Sequence, residues 1–167
     1  MSAISFQLAD NLLNLIADDR RLIAVNMDDS ALKQVLSSIK TIAIVGLSDN
    51  PDRPSFIVAS YLKKQGYSII PINPKYESVL GEKSYPDLIS AAKNLAPLQI
   101  EIVDLFRRSE DVLPHILEAI PFKPKIIWMQ EGVEHHDGAK LAQENGIEVV
   151  MNKCLKKTHK RLFGNPN

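Results

Sequence analysis

The chain has 167 residues, long enough for one domain with a proper core, and its 20 basic and 20 acidic side chains cancel. That balance excludes broad electrostatic binding to nucleic acid or to an anionic membrane, and a single cysteine, Cys154, excludes an internal disulfide. No apolar run approaches the roughly 18 residues of a membrane span, no basic leader precedes an apolar stretch, and no metal-ligand spacing is present, so a soluble, cytoplasmic, metal-free protein is expected.

At the N-terminus, FQLADNLLNLI reads as helical and RRLIAVN is compatible with an extended segment. Residues 1–27 are expected to form an N-terminal extension to a domain spanning 28–163. DDSALKQVLSSIK carries an Asp cap and apolar residues at 32, 35, 36 and 39, the spacing of an amphipathic helix. Five short runs rich in Ile and Val follow: TIAIVG (41–46), YSIIPI (67–72), IEIVDLF (100–106), KIIWMQ (125–130) and IEVVMN (147–152). Their nearly continuous apolar character predicts strands covered on both faces.

Between them lie helical stretches. PSFIVASYLKKQ ends at Gly66 and EHHDGAKLAQEN at Gly146, glycines suited to the positive φ of a C-terminal cap. SEDVLPHILEAI carries Pro114 early enough to be tolerated, and the gap from 73 to 99 has room for a short strand near Leu80–Ser84 and a helix over PDLISAAKN. Repeated strand–helix–strand order requires parallel strands. The expected fold is therefore α/β, a doubly wound, mostly parallel Rossmann-like sheet of five to six strands with helices on both faces.

Ligands of such sheets lie beyond the carboxyl ends of the strands. Behind the first strand stands GLSDNPDRPS (46–55), in the position of a phosphate loop. Only Gly46 fits a glycine fingerprint; Ser48 and Pro51 stand where two further glycines belong. The other strands lead into NPK (73–75), FRRS (106–109), QEG (130–132) and NKCLK (152–156). Arg53, Lys75, Arg107, Arg108, Lys153 and Lys156 thus gather at one rim of a neutral chain.

A helix starting near Pro54 would present free amides and a partial positive charge to a phosphate, with Ser48, Ser55 and Arg53 as further donors. The alternative is that Asp52, Arg53 and Pro54 form only a turn and a cap. After the second strand, Asn73-Pro74-Lys75 replaces the acidic residue that accepts ribose hydroxyls in NAD sites. The lysine favours a phosphorylated ribose, as in NADP or coenzyme A, and the missing glycines weigh against NADP.

In order and spacing, VGLSDNPDRPS, IIPINPK, LGEKSYPDL, EIVDLFRRSE, WMQEGV and VVMNKCLK resemble the small stand-alone coenzyme A-binding proteins of bacteria and archaea, over about residues 29–162. They are similar also to the coenzyme A-binding domain of the succinyl-coenzyme A synthetase alpha subunit. The resemblance implies contacts to coenzyme A or acyl-CoA from Gly46, Leu47, Ser48, Arg53, Pro54 and Ser55. It implies others from Asn73, Pro74 and Lys75, from Gln130 and Glu131 ahead of Gly132, and from Phe106 and Arg107. The function it implies is non-catalytic binding of a small nucleotide ligand. An acyl-CoA-handling enzyme or ligase subunit that needs a protein partner, and an NADP-binding redox regulator, are the alternatives.

No nucleophile–base pair is evident. The synthetase works through a phosphohistidine in a second domain absent from this chain, and His135 and His136 read as surface or capping residues at a helix start. His115 and His159 have less claim to a role. Trp128 reads as core. Cys154 reads either as a small buried residue or as a thiol able to exchange with the ligand's own, activated by Lys153 and Lys156.

Overall fold

The computed structural model describes residues 27–164; the expected N-terminal extension lies, apart from Met27, outside the described residues. Asp28 opens the first helix, α1 (Asp29–Ser38), by accepting from the Ala31 amide at 2.8 Å. Next come β1 (Thr41–Val45), α2 (Pro54–Lys64) and β2 (Ser68–Ile72). A small hairpin, β3 (Ser78–Val79) and β4 (Glu82–Lys83), precedes α3 (Leu88–Leu95), which Asp87 caps through the Ser90 amide at 2.7 Å. The remainder runs β5 (Ile102–Leu105), α4 (Leu113–Ala119), β6 (Ile126–Met129), α5 (His136–Glu144), β7 (Glu148–Val150) and α6 (Leu155–Phe163).

Five strands form one wholly parallel sheet in the order β2-β1-β5-β6-β7. After β1 the chain winds first to one side and then to the other, so the switch point lies between β1 and β5. β1, β5 and β6 are buried at every position, which explains why their sequences show no polar alternation. Pro71 fits because β2 is an edge strand, where a missing N–H leaves no ladder bond unmade.

The six α-helices among the described residues divide between two cores. Leu32, Leu36, Val58, Leu62 and Leu155 place α1, α2 and α6 over one face, against Ile42, Ile44 and Trp128. Leu88, Ala91, Ile116, Ala119, Ala139 and Ala142 place α3, α4 and α5 over the other, against Ala43, Val103 and Ile127. At about 25 cal/mol per Å² of apolar surface, two buried faces supply the main drive for folding.

Three elements extend or divide what the sequence predicts. The short strand expected near Leu80–Ser84 is β4, which pairs antiparallel with β3, and Tyr85 just beyond it bridges Ile72 at the edge of the main sheet. The hairpin's turn residues, Leu80 and Gly81, both have positive φ (54° and 76°), a tight reversal that pairs neighbours antiparallel and precludes a crossover. The helix expected over 109–120 is divided, a 3-10 turn at Ser109–Asp111 preceding α4, with Pro114 in the first turn of the new helix. Residues 155–163, assigned no element from the sequence, form α6, whose buried face is Leu155, Thr158 and His159.

Candidate functional site

The loop after β1 is shaped by side chains. The Ser55 hydroxyl accepts from the Ser48 amide at 3.0 Å, the Ser48 hydroxyl from the Asn50 amide at 3.1 Å, and Asn50 Oδ1 from the Asp52 amide at 2.9 Å. Short polar side chains bonding backbone two residues on hold the turn that fingerprint glycines would otherwise permit. Gly46 serves a different need. Its φ is +82°, and a Cβ there would lie 2.4 Å from the Phe106 carbonyl oxygen, so the loop after β5 demands the glycine.

The loop feeds α2 with Pro54 in its first turn and Arg53 at the N-cap position, and no side chain caps the first-turn amides. The turn-and-cap alternative needed Asp52 or Arg53 to close that end, and neither does. Those amides and the positive end of the helix dipole therefore keep their capacity for an anion.

The loop after β2 is locked beside the first. Asn73 Nδ2 donates to the Leu47 carbonyl at 3.1 Å, and Asn73 Oδ1 accepts from the Lys75 amide at 3.0 Å. Asn73 thus acts as a strut between two loops, and Lys75 is exposed just beyond it.

These loops, with those after β5 and β6, enclose a cavity of ≈ 1010 Å³ at the switch point. Gly46, Ser48, Arg53, Pro54 and Ser55 line it, as do Asn73, Pro74, Lys75, Phe106, Arg107, Gln130 and Glu131. Leu47 does not: its side chain is fully buried in the core and only its backbone belongs to the loop. Nor do Lys153 and Lys156, which sequence order had put on the same rim. Lys153 turns its carbonyl to the Trp128 indole N–H at 2.7 Å, and Lys156 lies over the Tyr61 ring.

The cavity's charges are unequal. Arg108 is spent on Asp111 at 2.8 Å and Glu110 at 3.5 Å. Among the described residues, no ion pair engages Arg53, Lys75 or Arg107. Of the two acidic members of the lining, Asp111 is paired with Arg108 and Glu131 with Lys157, the latter at 2.8 Å. The net field at the cavity is therefore positive.

Sequence reasoning missed several members of the lining, Val58, Tyr76, Asp111 and Val133, while Cys154, read from the rim loop NKCLK, does line it. Cys154 is half-buried and holds the N-cap position of α6. Behind the wall lies Asp104, fully buried on β5, which accepts from Gln130 Nε2 at 2.6 Å and leaves Oδ2 without a partner. Burial pushes its carboxyl up to about 8, so it holds its proton at neutral pH. An acidic residue inside the otherwise apolar stretch IVDLF (102–106) was the available signal.

The other chemistry-bearing residues have structural tasks. His135 caps α5 by accepting from the Gly138 amide at 2.9 Å, while His136 is exposed beside Glu134. His115 is half-buried near Glu118. His159 is buried in α6, bonded through Nδ1 to the Tyr61 hydroxyl at 2.8 Å and stacked on Phe163. Trp128 is fully buried. Among the described residues, no group of three His, Cys, Asp or Glu could hold a metal, and no helix is long and apolar enough to cross a membrane.

The chain is similar in sequence and fold to several known proteins. A family model described as CoA binding domain matches residues 40–160. The uncharacterised protein YneT of Bacillus subtilis (strain 168) is 35% identical over 134 residues, covering 80% of this chain and 96% of that protein. A hypothetical protein from Pyrococcus horikoshii OT3 superposes with a TM-score of 0.77 at 37% identity, over 83% of this chain and 94% of its own. A Thermus thermophilus protein, "cell-free ID.343", gives 0.74 at 36% identity, over 82% of this chain and all of its own.

Proposed function

Because this chain belongs to the CoA-binding domain family, we propose that it binds coenzyme A or an acyl derivative and performs no chemistry of its own. One observation carries the reading: an uncapped helix start and three cations without ion-pair partners among the described residues, Arg53, Lys75 and Arg107, line the same switch-point cavity. A phosphorylated, elongated ligand needs this combination of amide donors, mobile cations and length. The cavity's ≈ 1010 Å³ lies at the upper end of the range of about 300–1,000 Å³ for small-molecule sites.

In this reading the diphosphate rests on Ser48, Arg53 and Ser55 with the first-turn amides of α2. Lys75 meets the phosphorylated ribose, with Asn73 and Pro74 setting its position. Phe106, Arg107, Gln130 and Glu131 complete the wall, and Gly46 and Leu47 contribute backbone alone. The binding domain is taken as residues 28–163. Lys75 stands where an NAD site keeps a carboxylate, which sets this site against NAD.

Native mass spectrometry of freshly purified protein tests the ligand class, since a retained adduct with the mass of coenzyme A or a thioester identifies it. A thermal shift gives the second arm. Ligand at 100 times its dissociation constant stabilises the fold by about 2.7 kcal/mol, a rise in Tm of roughly 5–11 °C for a chain of this size. A shift with NADPH and none with coenzyme A would replace the proposal by the redox-regulator reading. Thioester turnover by the pure chain would replace it by the enzyme reading.

A further inference from the structure

A second concavity, of ≈ 670 Å³, lies along the flanks of α2 and α6 and shares no lining residue with the ligand cavity. Its lining is mixed: Phe56 and Tyr61 are half-buried and Ile57 is 43% exposed, giving it an apolar strip among polar side chains. Lys64, Lys156 and Lys160 stand around it.

Helix α6 spends its cations selectively. Lys157 pairs with Glu131, and Arg161 forks onto Asp29 of α1. Lys156 and Lys160, one turn apart, instead converge on the same Tyr61 ring, their ammonium groups 5.7 and 5.4 Å from its centroid. Among the described residues no ion pair engages either of them, nor Lys64 on the facing helix. Like charges four residues apart on one helix face repel, so an oppositely charged occupant gains energy here that solvent supplies only in part.

The chemistry of the groove selects among anions. Its two hydroxyls are Ser60 and Tyr61, the latter engaged with His159. A phosphate would meet the ammonium groups but would leave Phe56 and Ile57 in water. Carboxylates set beside apolar side chains fit better, because the floor then buries Ile57 and Phe56 while the lysines meet the acids.

We propose that the groove between α2 and α6 docks an acidic amphipathic helix of a partner protein. Glutamates or aspartates four residues apart on that helix meet Lys156 and Lys160, and its apolar stripe covers Ile57 and Phe56. This is the helix-in-groove mode of recognition, in which apolar anchors supply affinity and flanking charges set register. It does not rest on the coenzyme A reading, because the two sites have separate walls and separate readouts.

The test uses the full chain and a fluorescein-labelled synthetic helix carrying glutamates four residues apart beside leucines, followed by anisotropy. Saturable binding is expected, weakened in about 0.5 M salt, where screening leaves only a few ångströms of electrostatic reach. The double variant Lys156→Glu, Lys160→Glu should lose about tenfold or more in affinity while keeping its cooperative melt, and Lys93→Glu on the opposite layer should change nothing. Three results each overturn the proposal: no saturable binding, equal binding by the double variant, or equal binding of a peptide whose leucines are replaced by serine.

Discussion

Gln130 donates an amide hydrogen to Asp104 at 2.6 Å and gives its carbonyl oxygen to the Leu155 amide at 3.4 Å. One side chain in the cavity wall thereby joins β5, β6 and the start of α6. Asp104 is raised in the fold from 3.8 to about 8, chiefly by burial, with the Gln130 bond opposing. The folded state holds a proton that the unfolded chain has released between those values. The associated stability is fully present below 3.8 and is lost as pH rises through about 8. His115 and His159 are both pushed below 6.5 by burial and act in the other direction, their contribution being lost as pH falls. Asp104→Asn keeps the shape and removes the acid titration alone. The Tm of the wild type should therefore fall relative to Asp104→Asn between about pH 5 and about pH 9, as calorimetry in parallel buffers will show. Parallel curves would mean that Asp104 does not titrate in this window.

The cavity's cations should not be equivalent. Arg53→Glu and Lys75→Glu should each remove most of the coenzyme A-induced thermal shift, because each replaces a free cation with a repelling carboxylate. Arg107→Ala should weaken binding more than Arg108→Ala, since Arg108 is already committed to Asp111 and Glu110. Equal losses for the two arginines would contradict that division.

Gly46→Ala probes the contact between the loops after β1 and β5. Its φ of +82° disfavours any side chain, and the added carbon meets a backbone oxygen that cannot swing away. Strain and overpacking together predict a loss of roughly 2–5 kcal/mol in chemical denaturation. Ser48→Gly, by contrast, should leave the melt almost unchanged while loosening the loop.

Cys154 is the one thiol in the chain and lines the cavity. Alkylation by iodoacetamide, followed by intact mass, should slow several-fold when the cavity is saturated with coenzyme A. An unchanged rate would place the ligand away from the α6 end of the wall.

The alternation of strands and helices was readable because buried parallel strands keep continuous runs of Ile and Val, as TIAIV and KIIWM show. The site's cations followed from strand ends, since topology alone sends those loops to one rim. What escaped detection required three dimensions. Lys156 and Arg53 follow strands with equal right, yet α6 turns Lys156 over Tyr61 and away from the cavity. Leu47 sits inside the loop motif but points into the core. The last helix was hidden because its charged face dominates LKKTHKRLF, while His159 and Thr158 do the work of apolar residues within it.

The serine and asparagine bonds that shape the first loop have an entropic meaning as well. Ser48, Asn50 and Ser55 tie the backbone before any guest arrives, so little conformational freedom remains to be surrendered on entry. Occupied and vacant forms should superpose closely along residues 46–55. Selectivity would then be set by how well a visitor matches a shape already present, and much less by any closing motion around it.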